Sequence, residues 1–444
     1  MRPDASVARS RPRSPVPVAG VALVLGAMLA GARQPVAART PTPPTTAALL
    51  RTVGVGRDPV ALAVDGQAGR VFVVGAAGSV TTLDATTGGV MRTIAVGRGA
   101  QAVVVDEATG RAFVTDPGRV FVLDARTGTV LRALSVGGGG PTGGLAVDAP
   151  HGEVFVATRG AAARNPVAPP QPGSVVVLDT ATGRTRRTIH TDADLLAVDG
   201  VARRIILPYS CGDTPGVADM CVDTLDAVTG RRIKTADLSS QQGYEQQPSA
   251  VAVDGRAGRA FVLYGDGRGV SAVGMLATCT GVGQGTVGGA AGTLGTIAID
   301  ERVGRVAIVT VPDSYAAGSA YGLLRTAFVS VLDTRTGRDL TNTTVPTASQ
   351  AYVFVPGAVA DQRRGRFYVV ATLYTTAAAI LPRSILDVFA ASSGRLLRTL
   401  TLPTAVGQPN ASVGPAMAVD GRTGRLFITS GGNNTVSVLD TAHL

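Results

Sequence analysis

One short element recurs eight times along the sequence and constrains the fold more than any other feature. It consists of two apolar residues and an aspartate, followed after four residues by arginine in seven of the eight copies. The copies are AVDGQAGR (63–70), VVDEATGR (104–111), AVDAPHGE (146–153), AVDGVARR (197–204), AVDGRAGR (252–259), AIDERVGR (298–305), VADQRRGR (359–366) and AVDGRTGR (418–425). Their aspartates are 41 to 61 residues apart, so the chain repeats a unit of about 40 residues that accepts insertions.

Each unit has the pattern of four short strands. An apolar stretch ends at the aspartate, a glycine-rich turn follows, and a second apolar stretch such as VFVV (71–74) comes next. A third stretch ends in Leu-Asp-x-x-Thr-Gly, as at 83–88, and a fourth, such as VMRTIAV (90–96), closes the unit. Four antiparallel strands in about 40 residues match a β-propeller blade. We therefore predict an all-β propeller.

Phenylalanines mark one register of the second strand. Six of the ten occupy this position, namely Phe72, Phe113, Phe155, Phe261, Phe367 and Phe427. A large apolar side chain at the same place in successive repeats is expected to pack between neighbouring blades.

The two ends of the repeat region complete each other. The last copy ends at Asp440 after three strands, and LLRTV (49–53) matches the fourth-strand sequence LLRTLTL (396–402). We expect residues 49–53 to pair with residues 436–440 and close the ring. This arrangement gives eight blades over residues 49–444. Seven blades are the alternative, because the fourth-strand sequence expected in blade 5, GTVGGAAGTL (285–294), is weak.

Two stretches resemble a known repeat. VFVVGAAGSVTTLDATTGGVMRTIAVG (71–97) and LFITSGGNNTVSVLDTA (426–442) are similar to the repeat of the YVTN family of bacterial β-propellers, which includes YncE-like exported proteins. The likeness covers about residues 49–444 and is strongest in blades 1, 2 and 8. The resemblance implies a secreted or periplasmic propeller that acts by binding. The family shares no catalytic motif, so it assigns no active-site residue to this chain.

The repeated aspartates are interpreted as structural. An aspartate at a strand end accepts hydrogen bonds from the turn backbone, glycine supplies a positive φ, and the arginine is expected to return to the carboxylate. Because every blade needs this arrangement, it does not mark one site. The Leu-Asp turn follows the same logic, and Ala277 and Ala390 replace its aspartate in blades 5 and 7.

The connections divide between two faces of a propeller. The two aspartate turns of each blade emerge on one face, here called the turn face. Connections between strands two and three, and between successive blades, emerge on the opposite face, here called the loop face. Long segments are predicted on the loop face, at 159–173, 210–221, 239–248, 312–326, 347–357 and 404–415. Loops of this length are uncommon unless they bind a partner or are disordered.

Tyrosines concentrate in the segments predicted on the loop face. Tyrosine combines apolar area with a hydroxyl group and loses little entropy on binding. We therefore predict a binding surface on the loop face, to which a neighbouring aspartate and glutamate contribute. Its residues are Tyr209, Asp213, Tyr244, Glu245, Tyr315, Tyr321, Tyr352 and Tyr374. The alternative is that these tyrosines only fill gaps between loops.

Few residues are available for catalysis. The three histidines, His151, His190 and His443, fall at separate places in the repeats, so we predict no metal site and no cofactor. The absence of tryptophan excludes the boxes of sialidase-like propellers. We predict a non-catalytic, monomeric propeller that binds a protein, peptide or cell-envelope component. The alternative is a hydrolase or lyase of a small lactone or sugar acid, which would use Glu245 or a loop aspartate with a bound cation.

The first 38 residues predict export. Four arginines lie within residues 2–13, residues 16–32 are almost wholly apolar, and small residues at 30–32 or 36–38 offer cleavage after Ala32 or Ala38. An uncleaved anchor is the alternative, but the run is short for a membrane span and contains Pro17. Residues 39–48 have the composition of a Pro/Thr-rich linker. We therefore expect a secreted or periplasmic protein without membrane insertion after cleavage.

The positive charge does not predict nucleic-acid binding. Cleavage after Ala38 removes five arginines and one aspartate and lowers the formal charge from +10 to +6. The remaining arginines recur at the same place in the repeats instead of gathering in one basic run. We expect them to be solvated or structural, and we predict no nucleic-acid partner.

The three cysteines predict one disulfide. Cys211 and Cys221 flank the connection between the second and third strands of blade 4. A cross-strand bridge is sterically reasonable there, and an exported protein oxidises such a pair. Cys279 aligns with a Leu-Asp turn on the opposite face and is expected to stay a free thiol.

Overall fold

The computed structural model describes residues 49–444 with internal gaps. The gaps are 137–141, 159–172, 192, 194, 215–216, 239–246, 266–270, 288–293, 312–326, 346–350, 376–382, 403–405 and 407–415. For several strand residues beside these gaps, only the backbone is described. The predicted signal segment (1–38) and linker (39–48) lie outside the described residues.

The strands of the described residues form eight four-stranded antiparallel sheets, which are the eight predicted blades. Blades are numbered here by the copy of the repeated element that they contain. The outer strand of blade 8 and the strands of blades 1 to 3 are β1 (Leu49–Gly54), β2 (Pro59–Asp65), β3 (Arg70–Gly75), β4 (Ser79–Asp84), β5 (Val90–Ala95), β6 (Ala102–Asp106), β7 (Arg111–Asp116), β8 (Arg119–Asp124), β9 (Val130–Ser135), β10 (Thr142–Asp148), β11 (Glu153–Thr158), β12 (Ser174–Asp179) and β13 (Thr185–His190).

The second half of the chain continues the same order. Blades 4 to 6 consist of β14 (Ala197–Asp199), β15 (Arg204–Thr214), β16 (Val217–Asp226), β17 (Arg232–Asp237), β18 (Gln247–Asp254), β19 (Arg259–Gly265), β20 (Ser271–Ala277), β21 (Val282–Thr286), β22 (Leu294–Asp300), β23 (Arg305–Val311), β24 (Phe328–Asp333) and β25 (Asp339–Thr344). Blade 7 and the rest of blade 8 consist of β26 (Ala351–Asp361), β27 (Arg366–Thr375), β28 (Arg383–Ala390), β29 (Leu396–Leu402), β30 (Met417–Asp420), β31 (Arg425–Ser430) and β32 (Thr435–Asp440). Two short 3-10 turns occur at Ala149–His151 and Thr441–His443.

Blade 8 is assembled from both ends of the described chain. Strand β1 pairs antiparallel with β32, with Leu49 opposite Leu439 and Val53 opposite Val436. The sheet order is β1-β32-β31-β30, so β1 is the outer strand. The closure and the blade number predicted from the repeat are therefore confirmed.

The hydrophobic core is divided into eight clusters, one between each pair of neighbouring blades. The six second-strand phenylalanines named above are fully buried in these clusters. Second and third strands such as β3 and β12 are buried on both sides, because another blade covers each side. This double coverage explains why their sequences are continuously apolar instead of alternating.

Blade 5 differs from the prediction in the position of its outer strand. The repeat pattern predicts this strand within 285–294, but β21 begins at Val282 and ends at Thr286. Val282 pairs with Ala277 directly after the turn at Gly281, where φ is +67°. Because that turn returns the chain at once to the sheet, pairing starts earlier than the glycine-rich sequence indicates.

Candidate functional site

A long two-stranded ribbon extends blade 4 on the loop face. Strands β15 and β16 pair as far as Thr214 opposite Val217, whereas the outer strand β17 stops pairing where Asp237 lies opposite Cys221. Among the described residues, no further strand pairs with the ribbon beyond this point. An isolated pair of strands is marginally stable in water, so this ribbon needs further support.

A disulfide supplies that support. Cys211 and Cys221 are bonded across the ribbon, with Cα atoms 5.7 Å apart. Cys221 lies opposite Tyr209, so the bridge joins diagonal neighbours on one side of the ladder. The predicted pairing is confirmed. Cys279 is an exposed free thiol.

Tyr209 lies within β15, and the prediction that it belongs to an irregular loop is wrong. Its side chain is half-buried and interacts with Asp223 and Thr235 on the neighbouring strands. Burial raises the pKa of Tyr209, and the charge of Asp223 acts in the same direction. Asp223 is itself buried and lies 2.9 Å from Nε of Arg232. Tyr209 therefore anchors the base of the ribbon to its blade.

Three other predicted site residues also belong to strands instead of loops. Asp213 lies near the tip of β15. Tyr352 in β26 and Tyr374 in β27 are direct register partners in blade 7, at the loop-face end of a second extended pair of strands. The sequence pattern missed these strands because insertions separate them from the repeat. Tyr244, Glu245, Tyr315 and Tyr321 lie outside the described residues.

The turn face is held together by side chains of the repeated element. The buried Asp65 accepts the Ala68 N–H at 2.7 Å through Oδ1, and Asp199 accepts the N–H groups of Val201 and Ala202. The glycine before the last residue of the repeated element has φ between 60° and 71° in seven blades, while blade 4 places Arg203 there at 57°. The predicted structural role of the repeated aspartates is confirmed.

The prediction that each arginine returns to the same aspartate is wrong for most blades. Strands two and three place the arginine directly opposite the aspartate of the Leu-Asp turn, where the two charges form a cross-strand pair. These pairs are Arg70–Asp84 (3.7 Å), Arg111–Asp124 (3.2 Å), Arg204–Asp226 (3.1 Å), Arg305–Asp333 (2.7 Å) and Arg425–Asp440 (2.9 Å). Each pair fastens the two turns of one blade to each other.

Blade 3 reverses this charge pattern. Glu153 occupies the arginine position opposite Asp179, and Arg186 lies between the two carboxylates at 3.3 Å and 2.5 Å. Arg187 contacts Glu153 at 2.8 Å, and Arg203 of blade 4 contacts it at 2.9 Å. Burial acts to raise the pKa of Glu153, but the hydrogen bonds and charges of Arg187 and Arg203 outweigh it and lower the pKa. Glu153 therefore links two blades through buried ion pairs.

The structure also reveals features that sequence reasoning did not identify. Two clefts open on the turn face, one between blades 5 and 6 and one lined by blades 1, 2, 7 and 8. Four consecutive blades, 5 to 8, carry arginine two residues after the repeated aspartate, and this signal was readable from the aligned copies. Within the described ranges, no three acidic, histidine or cysteine side chains come together as metal ligands. None of the described helices has the length and apolar character of a membrane span.

A second buried carboxyl lies in the third strand of blade 7. Asp387 occupies the position of Asp223 in blade 4, three residues before the turn, and accepts a hydrogen bond from Thr399. Burial raises the pKa of Asp387 to about 6, although the Thr399 hydrogen bond acts in the opposite direction. Because this pKa exceeds the usual aspartate value of about 3.9, the group favours folding below pH 4. That contribution is lost as the pH rises through 6.

Replacing Asp387 by asparagine should stabilise the protein at neutral pH. Asparagine stays uncharged at every pH, so we expect Asp387→Asn to raise the free energy of unfolding by roughly 2–3 kcal/mol at pH 7.5. The gain should shrink towards zero at pH 4, and urea denaturation at the two pH values measures both. Asp223→Asn is the matched control, because Asp223 faces Arg232 and its loss should bring no gain. A variant no more stable than the natural protein at pH 7.5 would contradict the argument.

No family model and no curated protein matches this chain. Solved structures do match its fold. The computationally designed protein Ika8 has 15% identity and a TM-score of 0.56, and the match covers 88% of this chain and 99% of that one. Hydrazine synthase from Kuenenia stuttgartiensis has 14% identity and a TM-score of 0.50, with 87% and 96% covered. BamB from Moraxella catarrhalis has 14% identity and a TM-score of 0.50, with 88% and 99% covered. At these identities the likeness concerns the fold, and the fold is an eight-bladed β-propeller.

Proposed function

We propose that this protein is an exported, non-catalytic β-propeller that binds a protein, peptide or cell-envelope component through its loop face. The observation that carries the proposal is the disulfide-bridged ribbon of blade 4. It rises beyond the end of β17, the outer strand of its blade, and the bond between Cys211 and Cys221 restrains it. A surface element that is ordered before binding loses less entropy when a partner docks.

The use of carboxylates in the blades supports a binding role over a catalytic one. Repeated aspartates cap turns, and the Leu-Asp aspartates pair with arginines. The same carboxylates therefore hold the turns together in successive blades. The tyrosine-rich segments of the loop face are the part of the sequence that differs between blades, and variable segments on a rigid scaffold are where recognition is usually found.

Export is part of the proposal. Disulfides form and persist in oxidising compartments, and the bonded Cys211–Cys221 pair agrees with the signal segment predicted from residues 1–38. Membership in the YVTN family, which rests on the quoted repeat sequences, would agree with the same location.

Capture from a native cell-envelope extract tests the proposal. We expect the full chain to retain a partner, and the triple variant Tyr244→Ser, Tyr315→Ser and Tyr352→Ser to lose at least tenfold of that capture while its melting temperature changes little. Removing both cysteines (Cys211→Ser with Cys221→Ser) should weaken capture by at least threefold, because the ribbon is then restrained only by its hydrogen bonds. Arg422→Gln on the turn face is the control and should bind normally. Loss of capture by Arg422→Gln with retention by the triple variant would refute the assignment of the loop face.

A further inference from the structure

The cleft between blades 5 and 6 has the size of a small-molecule site. It has a volume of about 370 Å³ and opens on the turn face. Three turns line it: 254–257 of blade 5, and 301–305 and 333–335 of blade 6. Small-ligand pockets in proteins have volumes of roughly 300–1,000 Å³, so the cleft has room for a ligand of one small ring.

Two buried polar atoms in this cleft have no hydrogen-bond partner. They are Oδ2 of Asp254 and Oγ1 of Thr334, and both residues are fully buried. At the junction of blades 4 and 5 the equivalent two residues are hydrogen-bonded to each other: Thr278 of blade 5 donates to Oδ2 of Asp199 in blade 4. A buried polar atom without a partner is unfavourable, because it has lost its hydrogen bonds to water and gained none in the protein. The two unpartnered atoms at the junction of blades 5 and 6 could therefore both hydrogen-bond to a polar group of a bound ligand.

This combination occurs once among the described junctions. Other blades carry alanine at the position of Thr334, or a threonine or aspartate that already has a partner. Thr180 lacks a partner, but the aspartate that it faces across the junction, Asp106, accepts from Thr109. Asp300 also has one oxygen without a partner, but the next blade has Ala391 at the threonine position. Among the described junctions, the cleft between blades 5 and 6 alone offers an unpartnered acceptor and an unpartnered hydroxyl together.

The rim of the cleft is cationic. Arg256, Arg302 and Arg335 are exposed, and none forms an ion pair within 4 Å among the described residues. Arg305 differs, because it is paired with Asp333 at 2.7 Å. Glu301 also lines the cleft, and its carboxylate would compete with a bound anion for these arginines. It is half-buried, however, and accepts a hydrogen bond from the Gly255 N–H at 3.4 Å. Three guanidinium groups thus surround one opening, and such groups bind carboxylates and phosphates in bidentate fashion.

The second cleft lacks this combination. It measures about 290 Å³ and is lined by Arg363 and Arg422, but also by Glu107, Asp361 and Asp420. Arg422 donates to the Gly66 carbonyl at 3.1 Å, and the acidic groups outnumber the arginines. The cleft between blades 5 and 6 is therefore the better site for an anion.

We propose that the cleft between blades 5 and 6 binds a small hydroxylated anion, of the chemistry shared by sugar phosphates and sugar acids. Arg256, Arg302 and Arg335 receive the anionic group. A hydroxyl group of the ligand enters the cleft, donates to Oδ2 of Asp254 and accepts from the Thr334 hydroxyl. The site lies on the face opposite the proposed partner surface and is independent of it.

Calorimetric titration of the purified full chain tests this site. The probes are glucose 6-phosphate, gluconate, inorganic phosphate and glucose. We expect glucose 6-phosphate or gluconate, or both, to bind at least tenfold more tightly than inorganic phosphate and glucose. Inorganic phosphate lacks the sugar hydroxyl groups, and glucose lacks the anionic group. The two hydroxylated anions distinguish a phosphate head from a carboxylate head. Absence of binding by both at millimolar concentration would overturn the proposal, as would equal binding of inorganic phosphate.

Substitutions separate a built site from general attraction to a basic surface. Arg335→Gln should weaken binding at least tenfold, and Thr334→Val, which keeps the shape and removes the hydroxyl, should weaken it at least threefold. Arg126→Gln is the matched control, because Arg126 occupies the same place in the Leu-Asp turn of blade 2, and that blade has Ala108 where blades 5 and 6 have Arg256 and Arg302. Equal weakening by Arg126→Gln would show attraction to charge alone and would overturn the assignment. Melting temperatures confirm that each variant is folded.

Discussion

Deleting residues 46–54 should lower the free energy of unfolding by about 5 kcal/mol. The deletion removes β1, whose register with β32 runs from Leu49 to Gly54, and the buried side chain of Val53. Several backbone hydrogen bonds of about 1 kcal/mol each and one buried valine of about 2 kcal/mol account for this figure. The deletion also uncovers the edge of β32, which favours association between chains. Thermal unfolding and light scattering measure the two effects.

Deletion of residues 39–45 is the matched control for length and position. It removes part of the predicted linker and leaves β1 intact, so the melting temperature should stay within about 1 °C of that of the natural protein. If both deletions melt at the same temperature, the pairing of β1 with β32 contributes nothing to the ring.

Glu153→Gln should destabilise the protein by about 3–5 kcal/mol at neutral pH, the usual cost of removing one partner of a buried ion pair. The side chain of Glu153 is 3% exposed and contacts three arginines. Glutamine keeps the shape but leaves Arg187 and Arg203 with less opposing charge. Urea denaturation of both proteins at pH 7.5 measures the loss.

The pH dependence of this variant gives a second readout. The pKa of Glu153 is lowered in the folded protein, so its contribution is present above the ordinary glutamate pKa of about 4.3. It is lost as the pH falls through the lowered value, so the difference in stability between the two proteins should narrow in acid. Glu107→Gln is the control, because Glu107 is exposed and, within the described part of the chain, accepts a hydrogen bond from the Gly66 N–H alone, so its loss should cost less than about 1 kcal/mol. Equal destabilisation by both substitutions would contradict the role given to Glu153.

The sequence predicted those parts of the fold that every blade repeats. The phenylalanine register, the turn aspartates and the match between residues 49–53 and the missing fourth strand all depend on periodicity, which survives in a single sequence. The Cys211–Cys221 pairing followed from the same alignment, because it placed the two cysteines on adjacent strands.

The features that the sequence did not predict depend on registers between strands. Arginine and the Leu-Asp aspartate lie about 14 residues apart in blade 1, and only the pairing of β3 with β4 places Arg70 opposite Asp84. The repeat pattern places Tyr209 in a loop, because the strands of blade 4 continue past the length that the other repeats indicate. The unpartnered atoms of Asp254 and Thr334 follow from a junction between blades, for which a single repeat carries no signal.

The pairing of β1 with β32 also determines the order of assembly during synthesis. A ribosome makes the chain from its N-terminus, so β1 emerges long before its partner exists. Blades 1 to 7 draw all of their strands from continuous stretches of chain, and each can form as soon as its own residues are available. Blade 8 has to wait for β30, β31 and β32. We therefore expect the partly folded protein to be an open arc with an unpaired first strand, and the joining of its two ends to be the last folding event.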